Sequence, residues 1–322
     1  MALPVERIVP DAYNLHKKLS ISEACEFGFD ERCLSRNDPT TGNLDFNIEG
    51  NNEHCIVPSQ CYLKINVRIT GQAKTTAGTT VTYKDIGSTP EPKVFLVNNA
   101  LHSIFESTEV YVGHQATTKV DKHNAYIGYI NTLINYGQQS LHTYHHLSGW
   151  SKDTAGEMDS LEKTLNAYNN KALTIREQML EKGVKAYTGE FIGRICSPIF
   201  EQERIIPTQV PLRIILKKGN DKFYLIHEEG EFALTITEAE LIIRKVSLIP
   251  SIKESYMKLM DDGNPAQYFL KTPSINYYSI QSGSTQFMRD DLFMGKLPRR
   301  IIIGMVRYLF TTPISFFIFY FF

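Results

Sequence analysis

The residues that could do chemistry are few, and their spacing argues against most of it. His142, His145 and His146 in LHTYHH are the best candidates for a metal or acid–base cluster, because histidine is the commonest metal ligand and titrates near neutrality. No cysteine or carboxylate stands at ligand spacing from them, and adjacent residues of an extended segment face opposite sides. A solvated loop is the expectation for this stretch. Paired carboxylates occur at Glu228-Glu229 with Glu231, at Asp261-Asp262 and at Asp290-Asp291. A glycosidase needs two carboxylates converging across a cleft, whereas each of these pairs is adjacent in sequence and flanked by turn residues. The run Met294-Gly295-Lys296-Leu297 lacks the GxxxxGK[ST] spacing of a phosphate loop and is followed by proline. Lys296, Arg299 and Arg300 read as ordinary basic residues at a strand start. No GxSxG, HExxH or GxGxxG is present. The chain is therefore not expected to be an enzyme, and no catalytic residue, cofactor or metal ligand is assigned.

Composition narrows the classes further. The 322 residues are 42% hydrophobic and 21% charged, enough apolar material for one large domain or two ordinary ones. A formal charge of -1 leaves no basic excess to neutralise phosphates, so direct nucleic-acid binding is not expected. Cys25, Cys33, Cys55, Cys61 and Cys196 are scattered, without a CxxC. An odd count and no N-terminal apolar targeting segment point to reduced thiols in a cytoplasmic or nuclear setting, not a secreted one. The apolar end, YLFTTPISFFIFYFF, is too short for a typical membrane helix and contains Pro313.

The elements that would position any site are mostly strands. Leu44, Phe46 and Ile48 alternate with Asp45, Asn47 and Glu49, and the same device recurs over a longer run at Cys61, Leu63, Ile65, Val67 and Ile69. Further strands are expected at 190–196, 211–217 and 232–248, the last with a bend or bulge at Ala239 to Leu241. The organising stretch is Phe95 to Gly137. It holds an apolar approach, an alternating run Glu109 to Gly113, and a helix with apolar positions at Ile127, Ile130, Leu133 and Ile134, ended by Gly137. Residues 71–92 read as an exposed loop with a short hairpin around Val81 to Tyr83, and 138–183 as a polar surface excursion. A further helix is expected around Asp11 to Leu19, and two later strands at 275–280 and 298–306. Many short strands with unequal loops predict an all-β, jelly-roll sandwich with a few helices in the connections.

Several phrases, taken in order, resemble a known family. FLVNNALHSIFESTEVYVGHQ, AYIGYINTLINYG, WSKDTAG, FIGRICSPIFEQERIIP, LIIRKVSLIPS and DLFMGKLPRRIIIGMV are similar to the hexon-type major capsid proteins of Polinton (Maverick) elements and adintoviruses. The resemblance runs from about Leu44 to Val306. It implies a double jelly roll whose three copies form a pseudo-hexagonal capsomer of an icosahedral shell. On that mapping 1–40 is an N-terminal arm, 41–250 a complete first jelly roll and 251–306 the start of a truncated second, with 307–322 an aberrant hydrophobic tail. The family pattern departs after Val306, which implies a defective or partial copy. Expected core residues are Phe95, Leu96, Ile104, Phe105, Val110 and Val112, with Trp150 and Asp153 as candidate inter-subunit contacts. Expected partners are other copies of the chain as a homotrimer, and a minor, penton-like capsid protein. The expected location is the virion, or the host cytoplasm or nucleus if unassembled. The rival readings are a carbohydrate-binding or hydrolytic β-sandwich, since jelly rolls serve both uses, and a membrane-associated protein using the Phe-rich tail.

Overall fold

The computed structural model describes residues 25–77, 80–88, 91–117, 122–158, 161, 170–263, 266–280, 284, 286, 288, 290, 297–307 and 314–321. The helix expected around Asp11 to Leu19, as well as Asp291 and 294–296, lies outside them. The chain divides into one unit that runs to Tyr268 and a second that starts at Phe269.

The first unit is a sandwich of antiparallel sheets. Its strands are β1 (Cys25–Leu34), β2 (Asn43–Ile48), β3 (His54–Ile56), β4 (Tyr62–Ala77), β5 (Thr80–Asp85), β6 (Val94–Leu96), β7 (Phe105–Val112) and β8 (Gln115–Ala116). They continue with β9 (Leu180–Lys182), β10 (Tyr187–Gly193), β11 (Leu212–Lys218), β12 (Leu225–His227) and β13 (Gly230–Leu248). One sheet has the order β1-β13-β4-β10-β9, with β3 also on β13 and β5 on β4; the facing sheet is β2-β11-β7-β8. Neighbours are mostly distant in sequence, as long jelly-roll crossings require. A separate short ladder joins β6 to β12. Helices sit in the connections, among them α1 (Ala100–Ser103), α2 (Asn124–Asn135), α3 (Gln138–His142), α4 (Lys171–Gln178) and α5 (Pro250–Asp261), with single turns at Pro198–Glu201 and Asp221–Tyr224.

The core follows from alternation. Leu63, Ile65, Val67 and Ile69 of β4 are buried, as are Leu44, Phe46 and Ile48 of β2 and Leu212, Ile214 and Leu216 of β11. The intervening polar residues face outward because successive side chains of a strand leave opposite faces. On β13 the buried set begins on even numbers, Phe232, Leu234 and Ile236, then moves to odd ones, Ala239, Leu241 and Ile243. The register shift between Ile236 and Glu238 makes the change possible. It lies just N-terminal to the expected bend, because Thr237 is the residue with no partner to oppose. Phe95, Leu96, Ile104, Phe105 and Val110 are buried, whereas Val112 is only half-buried. Val112 pairs with Gln115 across the tight turn that ends β7, where the sheet runs out.

Three local expectations are corrected. The 71–92 segment is a long hairpin: β4 continues to Ala77 and β5 pairs with it from Thr80↔Ala77 to Asp85↔Gln72. Where β4 passes β13, Gly71 approaches so closely that a Cβ would lie 2.3 Å from the Glu231 carbonyl oxygen. Gly137 does not take the left-handed geometry of a helix stop; its φ is -80° and it opens α3. On α2, Ile127 and Ile130 are buried but Leu133 is 50% and Ile134 42% exposed. The apolar stripe is thus wider than the surface that receives it.

The first unit extends past Pro250. Helix α5 is held by Lys253, whose Nζ donates to the Asn52 carbonyl, and Tyr268 donates its hydroxyl to the Ile205 carbonyl at 2.7 Å. The second unit is a three-stranded antiparallel sheet of β14 (Pro273–Ile280), β15 (Arg300–Arg307) and β16 (Ile314–Phe321), in the order β14-β16-β15. The Phe-rich segment expected as a tail is its central strand, with Phe319 opposite both Ile275 and Ile302. Its aromatic and β-branched residues suit a strand, and no charge interrupts them.

Candidate functional site

The features that could carry function lie on the long insertion between β8 and β9, which the sequence suggested was surface material. The structure instead ties it into the molecule. Trp150 is 2% exposed, and its ring lies 5.1 Å from that of Tyr129 on α2. Trp150 N–H donates to the His145 carbonyl and Asn99 N–H to the Gly149 carbonyl, both close to 3 Å. Asn99 holds the left-handed conformation, φ 58°, at the start of α1, which Asn tolerates better than most residues.

Asp153 is buried too. Its Oδ1 accepts from Arg176 Nη1 at 2.9 Å and from Asn170 Nδ2 at 2.6 Å. Arg176, projecting from α4, also donates through Nε to the Leu96 carbonyl of β6 and through Nη1 to Ser151 Oγ. Asn170 caps α4, its Oδ1 accepting from Ala172 N–H, as Asn at an N-cap does. Asn98 Oδ1 accepts from Ser151 N–H. Burial lowers Arg176 from the usual guanidinium range, and Asp153 opposes that shift. The network fixes the WSKD loop, α4 and β6 as one body. It offers hydrogen bonds and a balanced charge pair to its own chain, and no nucleophile beside a base.

The three insertion histidines do not come together. His142 is exposed, His145 is buried and His146 is intermediate. His145 packs against Tyr136, the rings tilted at 58° with centroids 4.2 Å apart. Among the described residues, no group of three His, Cys, Asp or Glu side chains is placed to hold a metal. Asp261, Asp262, Glu229 and Glu231 are exposed surface carboxylates, as a charged turn predicts.

The outward face of the β2-β11-β7 sheet carries a charge ladder that sequence reading missed. Arg213 Nε and Nη2 clasp both oxygens of Asp45 at 3.0 and 2.8 Å, and Lys217 Nζ meets Glu109 Oε1 at 2.7 Å. Lys217 holds the Glu109 carboxyl below its ordinary range, and Arg213 does the same for Asp45. The signal for it was the polar half of each alternating strand, and only the register reveals which charges are neighbours.

The class of protein these sheets define is an antiparallel jelly-roll sandwich, mostly β, with helices in its connections. No family model matches the chain. An uncharacterized protein of Caenorhabditis elegans, F54H12.2, is 19% identical over 214 residues, covering 65% of this chain and 47% of that protein. The cryo-EM structure of the Sputnik virophage is similar with a TM-score of 0.54 and 10% identity, over 90% of this chain and 57% of that one. The crystal structure of mavirus major capsid protein is similar at a TM-score of 0.41 and 11% identity, over 95% of this chain and 57% of that one. At these identities the likeness shows the fold alone. The chain spans about half the length of the curated relative that it matches. No described helix is long and apolar enough to cross a membrane.

Proposed function

We propose that the chain is a structural capsid subunit of the hexon type, which acts by self-association and catalyses no reaction. The observation that carries this reading is a sandwich similar to the virophage structure over 90% of the chain. The ordered phrases that resemble Polinton and adintovirus capsid proteins support it in sequence. On this reading three copies form a capsomer in a virion, with a minor capsid protein as a further partner.

Trp150 and Asp153 then serve the interface from within, by holding the insertion rigid. The outward side chains on the same insertion include three large apolar ones, Leu133 and Ile134 on α2, and Leu147, 55% exposed, among polar neighbours such as Gln138, Gln139 and His142. Large apolar side chains left outside on a pinned element suit a partner surface. The second unit is part of a second sandwich. Its β15 leaves Ile301 48% and Ile303 64% exposed, an apolar edge that suits contact with a neighbouring surface.

Chemical crosslinking followed by negative-stain microscopy tests the reading. The expected result is a three-copy crosslinked species that forms pseudo-hexagonal particles and is weakened by Leu133→Asp with Leu147→Asp. A chain that crosslinks to no discrete species contradicts it.

A further inference from the structure

Around the turn that follows α3 lie His145 of the insertion, His102 of α1 and Arg194 of the segment leaving β10, near enough to influence one another's charge and outside the Asp153–Arg176 network. His145 lies in the turn after α3 and is 6% exposed; its Nε2 has no hydrogen-bond partner among the described residues. Its ring is enclosed by Tyr136 at 4.2 Å and Tyr144 at 5.1 Å. Behind Tyr144, Arg194 places its guanidinium 5.7 Å from that ring's centroid, on the segment leaving β10. From α1, His102 lies beneath α2, so close that a Cβ on Gly128 would be 2.8 Å from the His102 Cβ.

The charged and titratable groups around His145 are thus Arg194 and His102, both of the sign that a protonated imidazole repels. Burial raises Tyr136 and Tyr144 above the ordinary tyrosine range, so both face His145 as neutral rings. An acid nearby among the described residues is Glu201, beside Tyr136, and it accepts from Asn131 Nδ2 at 3.0 Å. The backbone of His145 also holds the layer together. Its carbonyl accepts from Trp150 N–H at 3.0 Å and from Ser148 Oγ at 2.8 Å, and its N–H donates to the Ser140 carbonyl.

We propose that His145, with His102 and Arg194, forms an acid-released latch: protonation of the imidazoles loosens the turn at 143–150, frees Trp150 and unpins that turn from α2. Burial pushes both imidazoles below the ordinary 6.5, with Arg194 adding to the effect on His145 and His145 to that on His102. His102 is half-buried as a residue, which softens its share. The sign follows directly. A histidine whose pKa is depressed in the closed form binds fewer protons there than when released. The latch is therefore at full strength above pH 6.5, and weakens as the pH falls through the closed-form values, about 4 for His102. The device is independent of the capsid reading, because it concerns one chain.

Trp150 is the chain's single tryptophan, so its fluorescence reports this layer alone. The full chain is titrated from pH 8 to 4, reading Trp150 emission beside far-UV circular dichroism. The latch predicts a red shift below pH 6.5 that precedes any loss of strand signal. His145→Gln abolishes the early shift or moves its midpoint to lower pH, and Arg194→Gln moves it to higher pH. Histidine proton NMR of the unaltered chain needs no variant: two imidazoles should titrate below pH 6.5, one in step with the emission change. Emission that changes only with the strand signal overturns the proposal. So do two variants with the unaltered midpoint, or imidazoles that all titrate near 6.5.

Discussion

Asp153 and Arg176, 23 positions apart in sequence, meet as a 2.9 Å ion pair whose side chains are 5% and 2% exposed. Removing one partner of a buried pair leaves the other charge without compensation, which typically costs about 3–5 kcal/mol. Asp153→Ala is expected to destabilise the first unit by that order. Replacing both residues by apolar ones of similar volume should cost much less. Urea unfolding of the single variants and the double one measures the difference.

The core makes a sharper contrast. Phe191 of β10 is buried to 1%, and Phe191→Ala should cost about 3–5 kcal/mol through lost burial and the cavity left behind. Val81 lies on the exposed β5, and Val81→Thr should stay within about 0.5 kcal/mol. Thermal melts of the two proteins, side by side, check both.

Deleting Thr237 tests the bulge on β13. Without it, one half of the strand must turn its apolar set, Phe232, Leu234 and Ile236 or Ala239, Leu241 and Ile243, to the solvent. The expected outcome is insoluble protein, whereas Thr237→Ala, which keeps the count, should express and fold. Yield in the soluble fraction is the readout.

Much of the first sandwich was legible because β2, β4 and β13 each bury one face. Strand β1 was not, since CEFGFDERCL leaves most side chains of both faces in solvent and has no period to read. The β4–β5 hairpin was expected only as a short one around Val81 to Tyr83, and its length was missed for the same reason: TTAGTTVTYKD is mostly polar and has no apolar period to read. Among the candidate site residues, Trp150 was visible as a lone large aromatic in a polar loop. Arg176 was not, because LTIREQ reads as an ordinary solvated helix, and pairing with Asp153 depends on how α4 docks against β6. The one local cue was Asn170, a good N-cap placed just before Lys171.

The charge ladder predicts part of the acid response. The Glu109 carboxyl is held below the ordinary 4.5 by Lys217, so the folded state binds fewer protons there than the unfolded one. Its stabilising effect is complete above about pH 4.5 and is lost as the pH falls through the folded value. Glu109→Gln should flatten the acid limb of stability against pH below 4.5 and leave the latch's fluorescence change in place. Urea midpoints measured between pH 3 and 7 check this.

The central claim is that this sandwich works by associating with copies of itself. The most direct test is the mass in solution, by light scattering, of this chain beside its Leu133→Asp, Leu147→Asp variant. The account predicts a mass of three chains for the 322-residue chain, lowered in the variant. A stable monomer for the unaltered chain would contradict it.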